Sequence, residues 1–175
     1  MSNLFSALNE DFKVYSDIQS GMLQKILGPF LTLGYYVVLI YRIRSELMRL
    51  GRPGRLIATV IGFLSNILSG CYISAKAKIG PGLYLPHAIG IVIGDGVTLG
   101  THVTVYQSVT IGSRAKGANA YPTIANDVII FPSSIIIGRI DIGEGAIIGA
   151  GSVVLSNVPA HSVAVGNPSR ILPAR

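Results

Sequence analysis

The stretch Thr123–Val154, TIANDVIIFPSSIIIGRIDIGEGAIIGAGSVV, repeats one pattern every six residues. An aliphatic residue stands at each sixth position from Ile124 onward, and the fourth residue after it is usually small or β-branched. The same step runs through the preceding residues, with a two-residue shift at Ile91–Val92 and a one-residue shift across Ser113–Thr123. The positions it defines are all aliphatic: Ile73, Ile79, Leu85, Ile93, Leu99, Val105, Ile111, Ile124, Ile130, Ile136, Ile142, Ile148 and Val154.

A fixed period of six is typical of a hexapeptide-repeat solenoid. Each hexad forms one flat face and turns one aliphatic side chain inward, and glycine beside it fits the tight corner. A β-sandwich would instead alternate with a period of two and turn every ~8–12 residues. We therefore predict a mainly β fold, a left-handed parallel β-helix over residues 71–160. A loop at 113–123 projects from it, and residues 161–175 form a C-terminal tail.

Residues 1–70 are predicted to form a separate helical segment. Tyr35–Leu50 and Leu56–Leu68 have helical patterns, and Gly51–Gly54 interrupts them. The apolar run in this segment is too short, and too broken by Pro and Gly, for a membrane span of about 20 residues. Two interpretations stay open for residues 26–68. Their apolar face packs on the β-helix or another subunit, or their basic helices lie peripherally on an anionic membrane surface.

Composition excludes several classes of protein. Half of the 175 residues are hydrophobic and only 13% are charged, which argues against disorder and coiled coil. The single cysteine excludes a disulfide framework and indicates a reducing, cytoplasmic compartment. The net charge of +6 suits an anionic partner, but its even spread along the chain does not predict nucleic-acid binding.

Three histidines are candidates for chemistry. His87 lies beside the shift in the repeat, His102 occupies an ordinary outward hexad position, and His161 lies in the tail. No cluster of His, Asp and Glu has the spacing of metal ligands, so we predict no metal site.

Several motifs carry a resemblance to a known family. The stretches GPGLYLPHAIGIVIG at 80–94, QSVTIG at 107–112, GAGSVVL at 149–155 and VPAH at 158–161 resemble those of serine O-acetyltransferases. Tyr41-Arg-Ile and Gly51-Arg52 resemble the last helices of that family's N-terminal domain, so the likeness covers roughly residues 35–171.

The resemblance implies acetyl transfer from acetyl-CoA to a hydroxyl group, in a homotrimer with sites between neighbouring β-helices. His87 matches the family's catalytic histidine and would act as the general base. The residues expected to contact acetyl-CoA are Gly112, Ser113, Pro132, Ser133, Ser134, Ala150 and Gly151, with Arg170 near the phosphates.

Three departures from the family concern the acceptor. The family has an Asp directly before the catalytic histidine, where this chain has Pro86, and an orienting Asp fifteen residues before it, where this chain has Tyr72. An Arg-His pair of the loop is replaced by Ala120 and Tyr121. A serine ammonium in a closed site needs a carboxylate, so these losses favour an acceptor without a charge.

The shortened loop resembles that of acetyltransferases of colanic acid and other exopolysaccharides or capsules. We therefore predict a sugar hydroxyl of a surface polysaccharide or its precursor as the acceptor. Arg114 and Tyr121, with Asn119 as a weaker candidate, are expected on the acceptor side. Asp95 or a backbone carbonyl is expected to orient His87.

Two alternatives stay open. The first is an L-serine O-acetyltransferase that holds serine with other groups, and the second is a non-catalytic trimeric scaffold. Nothing in the sequence fixes acetyl over a longer acyl chain.

Overall fold

Helices precede the strands along the chain, and the computed structural model describes residues 4–18, 21–115 and 120–172. The described helices are α1 (Leu4–Asp17), α2 (Met22–Leu27), α3 (Leu33–Leu47) and α4 (Gly51–Ser69), with single 3-10 turns before and after α3. The strands begin at Tyr72, directly after α4. The division of the chain at residues 70 and 160 stays a prediction.

Within the described residues, fourteen short strands form three sheets, which are the faces of one solenoid. The first face contains β1 (Tyr72–Ile73), β3 (Val92–Ile93), β6 (Thr110–Gly112), β9 (Ile135–Ile137) and β12 (Val153–Val154). The second contains β2 (Lys78–Ile79), β4 (Thr98–Leu99), β7 (Thr123–Ile124) and β10 (Asp141–Ile142). The third contains β5 (Thr104–Val105), β8 (Ile129–Ile130), β11 (Ile147–Ile148), β13 (Val163–Val165) and β14 (Arg170–Leu172). Only the pairing of β13 with β14 is antiparallel among these strands.

The aliphatic residue of each hexad points into the solenoid. All thirteen positions that the period defines are buried, each with at most 9% of its surface exposed. The parallel register stacks these side chains coil upon coil, as in Ile93 on Ile111 and Ile111 on Ile136. The mainly β fold with parallel sheets and an N-terminal helical segment is therefore confirmed.

Helices α3 and α4 pack closely because α4 has small residues along one side. Its buried residues are Gly54, Ala58, Gly62, Ser65 and Ser69. A Cβ at Gly54 would overlap the carbonyl oxygen of Leu47, and one at Gly62 would overlap the guanidinium of Arg44. The interruption predicted at Gly51–Gly54 is wrong in position: the break between α3 and α4 is the 3-10 turn Met48–Leu50, and α4 begins at Gly51. Pro53 fits there, since a residue in the first turn has no intrahelical N–H bond to lose.

The opposite side of α4 is apolar and exposed. Phe63, Ile67 and Leu68 each expose more than 60% of their surface, and α2 exposes Met22 and Leu23 to a similar extent. This face therefore does not pack on the β-helix of its own chain. None of the helices within the described residues is long and apolar enough to cross a membrane.

Helix side chains bind the open end of the first coil. The buried Arg42 of α3 donates to the carbonyl oxygens of Ile79 and Gly80, both at 2.6 Å. It also forms an ion pair with the buried Asp11 of α1, with Nε 2.8 Å from Oδ2. Asp11 Oδ1 in turn accepts the backbone N–H of Gly82 at 2.8 Å. These bonds occupy backbone groups that the first coil cannot satisfy with a preceding coil.

Candidate active site

His87 lies on the edge where the chain passes from the third face to the first. Leu85 before it and Ala88 after it are buried in the core, with 1% and 3% of their surface exposed. Because these neighbours point inward, the imidazole of His87 is directed outward and is exposed. Among the described residues, no side chain forms a hydrogen bond with this imidazole.

The same edge carries the corners of the following coils. We define the His87 edge as residues 86–89, 106–108, 131–134 and 149–152. Backbone hydrogen bonds of 2.9–3.0 Å connect its levels, from Ser108 N–H to Ile89, from Ser133 N–H to Gln107 and from Gly151 N–H to Pro132. His87 and most of the residues expected to contact acetyl-CoA are thereby aligned along one edge.

Two aromatic rings continue this alignment from His87 toward the C-terminal coils, and in this direction residues are called lower. The rings of Tyr106 and Phe131 are stacked, with centroids 5.2 Å apart and planes 9° apart. The centroid of the His87 ring lies 6.4 Å from that of Tyr106. Beside them, Oε1 of Gln107 is buried and accepts no hydrogen bond from the described residues. These three residues were not among those predicted from the sequence. A signal was present, because Tyr106 and Phe131 directly follow an inward aliphatic residue of the repeat and Gln107 lies two residues after one.

The residues expected to contact acetyl-CoA differ in how far their side chains are exposed to solvent. Ser133, Ala150 and Gly151 are exposed, and Pro132 is half-buried. The Ser134 side chain is fully buried, and its hydroxyl oxygen lies 2.6 Å from the carbonyl oxygen of Phe131 and 2.9 Å from that of Gly149, so its single proton is shared between these two acceptors. Ser134 thus shapes the corner from inside, and its hydroxyl is not available to acetyl-CoA.

Arg170 lies at the lower end of this edge. It begins β14 and is exposed. The turn before Arg170 is hydrogen-bonded to β12, because Ser169 N–H donates to the carbonyl oxygen of Val153 at 2.8 Å. A guanidinium in this place is free to approach an anionic group that extends along the edge.

The predicted residues Asp95, Gly112, Ser113, Arg114 and Tyr121 lie on the next edge, between the first and second faces. We call this the loop edge and define it as residues 74–77, 94–97, 112–115, 120–123 and 138–140. Asp95 on this edge accepts hydrogen bonds from Ser74 Oγ at 2.7 Å and from Lys76 Nζ at 2.8 Å. Both hydrogen bonds lower the pKa of Asp95, and the bond from Lys76 has the larger effect. Asp95 therefore does not orient His87 within one chain, contrary to the expectation from the sequence.

Tyr121 packs against the coil that carries Asp95. A Cβ on Gly96 would overlap the Tyr121 ring, and one on Gly94 would lie 3.1 Å from it. The ring is half-buried and contacts the hydrophobic core. The absence of side chains at these glycines gives the ring its place on the loop edge.

Other residues of the loop lie nearby. Arg114 is exposed, and Gly112 ends β6, where its carbonyl accepts the N–H of Gly138 at 3.1 Å. Ser113 Oγ donates to the carbonyl of Ala115 at 2.9 Å. Asn119 lies outside the described residues.

Two clefts flank the helices, and His87 lines neither. One of about 310 Å³ lies between α4 and the loop edge and includes Asp95 and Lys76, and one of about 590 Å³ lies between the helices and the second face. Across the described ranges, no three His, Cys, Asp or Glu side chains are grouped to hold a metal ion. Burial raises the pKa of the Cys71 thiol, which argues against a nucleophilic role. The open His87 edge is therefore the strongest candidate for the active site.

Comparison with known proteins agrees with this geometry. The family model described as "Bacterial transferase hexapeptide (six repeats)" matches residues 121–156. The chain is 32% identical over 174 residues to the serine acetyltransferase of Synechococcus elongatus, covering 97% of this chain and 69% of that protein. The chain belongs to the serine acetyltransferase family. It is also 41% identical over 153 residues to the serine acetyltransferase of Escherichia coli K12, but it spans only 54% of that protein.

Solved serine acetyltransferases have the same fold. The enzyme of Neisseria gonorrhoeae matches 98% of this chain with a TM-score of 0.89 and 30% identity, and the match covers 66% of that chain. A serine acetyltransferase in complex with CoA matches 97% of this chain with a TM-score of 0.85 and 29% identity, and covers 69% of that chain. These relatives are named for serine, and they do not support exopolysaccharide acetyltransferases as the nearest group.

Proposed function

We propose that this chain is an acetyl-CoA-dependent O-acetyltransferase whose acceptor is L-serine and whose general base is His87. The observation that carries the proposal is the exposed His87 at the head of an edge, within a chain similar to serine acetyltransferases over almost its whole length. This acceptor replaces the polysaccharide hydroxyl predicted from the loop and the missing carboxylates.

The proposed reaction requires one proton carrier. His87 takes the proton of the serine hydroxyl while its oxygen attacks the carbonyl carbon of the thioester. The tetrahedral intermediate then collapses, the carbon–sulfur bond breaks, and the imidazolium returns the proton to the sulfur of CoA. The products are O-acetylserine and CoA, and neither a metal nor a redox step is needed.

We place the donor along the His87 edge. Acetyl-CoA would lie with its thioester at His87 and its pantetheine arm along Pro132, Ser133, Ala150 and Gly151. Arg170 at the lower end would face the phosphates. The CoA-bound relative supports the choice of donor.

The division of the predicted residues between two edges supports a homotrimer of left-handed β-helices. His87 lies on one edge, whereas Arg114, Tyr121, Asp95, Gly112 and Ser113 lie on or near the other. In a trimer the His87 edge of one chain would face the loop edge of its neighbour, so that two chains would complete each site.

A neutral sugar hydroxyl is a second candidate acceptor, and specific observations favour it. Within the described part of the chain no carboxylate bonds to His87, and Asp95 is already paired with Lys76. Tyr72 and Pro86 stand where the family has aspartates. L-serine needs a carboxylate for its ammonium group, and Asp95 of the facing chain would supply one only by exchanging Lys76 for it.

The test measures CoA thiol release by the purified full chain with acetyl-CoA and a series of acceptors. L-serine is compared with 3-hydroxypropionate, which lacks the ammonium, with ethanolamine, which lacks the carboxylate, and with acidic exopolysaccharide oligosaccharides. His87→Ala is the control, and its trimer and melting temperature should remain those of the wild type. We expect release with L-serine, confirmed as O-acetylserine by mass spectrometry, and a loss of at least about 100-fold in His87→Ala.

The other outcomes decide between the alternatives. Release with saccharide and not with L-serine would replace serine by the second candidate. Release that survives His87→Ala would overturn the mechanism. No release with any acceptor, from a trimer that binds no CoA, would indicate a scaffold.

The cytoplasmic location and the peripheral membrane contact of residues 26–68 remain proposals. Acetyl-CoA as donor supports the first. The exposed apolar face of α4, with Arg52 and Arg55 exposed in its first turns, supports the second. Coverage of the same face by another subunit is the alternative.

A further inference from the structure

A helix side chain holds the backbone two residues before His87. The hydroxyl oxygen of Tyr15, in α1, accepts the backbone N–H of Leu85 at 2.9 Å. Tyr15 exposes only 2% of its surface, and burial raises the pKa of its hydroxyl. Its ring also meets the ring of Tyr84 edge-on, with centroids 5.0 Å apart. Tyr15 therefore fixes both the backbone and a side chain of residues 84–85.

The carbonyl side of Leu85 is held from α3. Gly34 lies so close to the Leu85 carbonyl oxygen that a Cβ at position 34 would overlap it. The same Cβ would lie 2.8 Å from the hydroxyl oxygen of Tyr15. Two helices thus enclose the peptide groups on both sides of Leu85, and His87 follows after a single proline.

The position of the His87 imidazole depends on its backbone, because no described side chain fixes it by a hydrogen bond. Its imidazole lacks a hydrogen-bonding partner among the described side chains, and Tyr72 has replaced the residue that orients it in the family. Beyond Leu85, three backbone bonds hold its segment: Ile89 N–H donates to the His87 carbonyl at 2.9 Å, Gly90 N–H to Gly70 at 3.2 Å and Ser108 N–H to Ile89 at 2.9 Å. A general base must stay within hydrogen-bond reach of the proton it removes, and a misplacement of about 1 Å can cost 100-fold in rate.

We propose that Tyr15 is a positioning residue, which sets the place of the His87 imidazole through the backbone of Leu85. The inference rests on the proposed role of His87 as the base. It gives α1 a role in the reaction rate, although no atom of α1 need touch either substrate.

Tyr41 provides a matched control. Its buried hydroxyl donates to the Ala77 carbonyl at 2.8 Å and accepts the Ile79 N–H at 3.2 Å. Tyr41→Phe therefore removes helix-to-coil hydrogen bonds of the same kind as Tyr15→Phe, and both leave a buried N–H without an acceptor. The two sites differ in their distance from His87 along the chain. Ile79 lies eight residues before His87, whereas Leu85 lies two residues before it.

The experiment compares Tyr15→Phe, Tyr41→Phe and the wild type in steady-state kinetics, well below their melting temperatures. We expect both variants to melt at lower temperature. Tyr15→Phe should lower kcat at least tenfold with the KM for acetyl-CoA within twofold of the wild type. Tyr41→Phe should keep kcat within twofold. Equal losses of kcat in both variants, or wild-type kcat in Tyr15→Phe, would overturn the proposal.

A second readout does not require turnover. The imidazole proton and carbon NMR signals of His87, assigned by their loss in His87→Ala, report its surroundings directly. They should shift in Tyr15→Phe and stay in place in Tyr41→Phe. Such a shift in a protein that acetylates no acceptor would refute the proposed function and leave the positioning intact. Unshifted signals in Tyr15→Phe would refute the positioning whatever the activity.

Discussion

The ion pair between Asp11 and Arg42 should contribute much more to stability than an exposed pair of equal length. In Asp11→Asn, Arg42 would keep its charge while only 6% of its side chain is exposed to water. Removing one partner of a buried pair costs about 3–5 kcal/mol, because the remaining charge is uncompensated. The new amide would also direct an N–H group or a neutral oxygen at the guanidinium. We therefore expect a loss of about 3–5 kcal/mol in the free energy of unfolding.

Asp95→Asn is the matched control. Asp95 and Lys76 are also 2.8 Å apart, but their side chains are 41% and 62% exposed. Exposed pairs contribute about 0–1 kcal/mol, because water screens them. The two pairs are equal in distance and differ in burial, and the buried pair also includes the bonds from Gly82 N–H to Asp11 and from Arg42 to two carbonyls, so the comparison measures burial together with these bonds.

Urea unfolding followed by circular dichroism measures both losses. The protein concentration must be the same for all variants, because association shifts apparent stability. A loss below about 1 kcal/mol for Asp11→Asn would refute the reasoning. It would mean that the carbonyl oxygens of Ile79 and Gly80 stabilise the Arg42 charge without the carboxylate.

Two further predictions concern pH and the buried corner. Hydrogen bonds from Lys76 and Ser74 hold the pKa of Asp95 below its ordinary value, so the pair stabilises the fold above about pH 4 and loses this effect as the pH falls further. The difference in melting temperature between wild type and Asp95→Asn should therefore stay constant from pH 7 to about pH 4 and shrink as the pH falls below about 4, and a difference that persists undiminished to about pH 2 would contradict this. Ser134→Ala should cost about 1 kcal/mol in unfolding free energy and leave the KM for acetyl-CoA within twofold, because the hydroxyl is bonded inside the coil. A tenfold rise in KM would instead place Ser134 in contact with the donor.

The solenoid core could be predicted because its period is local. Each inward residue, from Ile73 to Val154, is six residues from the next apart from the two shifts, so counting along the chain identifies the buried side chains. The contacts of the helices could not be predicted in this way. Arg42 and Asp11 are 31 residues apart, and no spacing rule connects an arginine on one helix with an aspartate on another.

The arrangement of the candidate site could be predicted only in part from the sequence, for a similar reason. The resemblance to the family indicated His87, and the structure aligns Pro132 and Gly151 below it on one edge. The pairing of Asp95 with Lys76 depends on which corner of the prism each residue occupies. Because three hexads make one coil, every third hexad lies on the same face, and this rule would have assigned Asp95 to a different edge from His87. The rule would not have shown that the Lys76 side chain reaches Asp95.

The side chains that bind the first coil also protect the end of the solenoid against the addition of strands from another chain. A β-solenoid that ended without a cover would present a row of free N–H and C=O groups, onto which another chain can add its strands. Arg42, Asp11, Tyr15 and Tyr41 occupy such groups between Ala77 and Leu85, and at the other end β14 folds back on β13. The helices thus block end-to-end addition of further strands, which would otherwise lead to fibre-like growth. They limit the β-helix to the coils of its own chain.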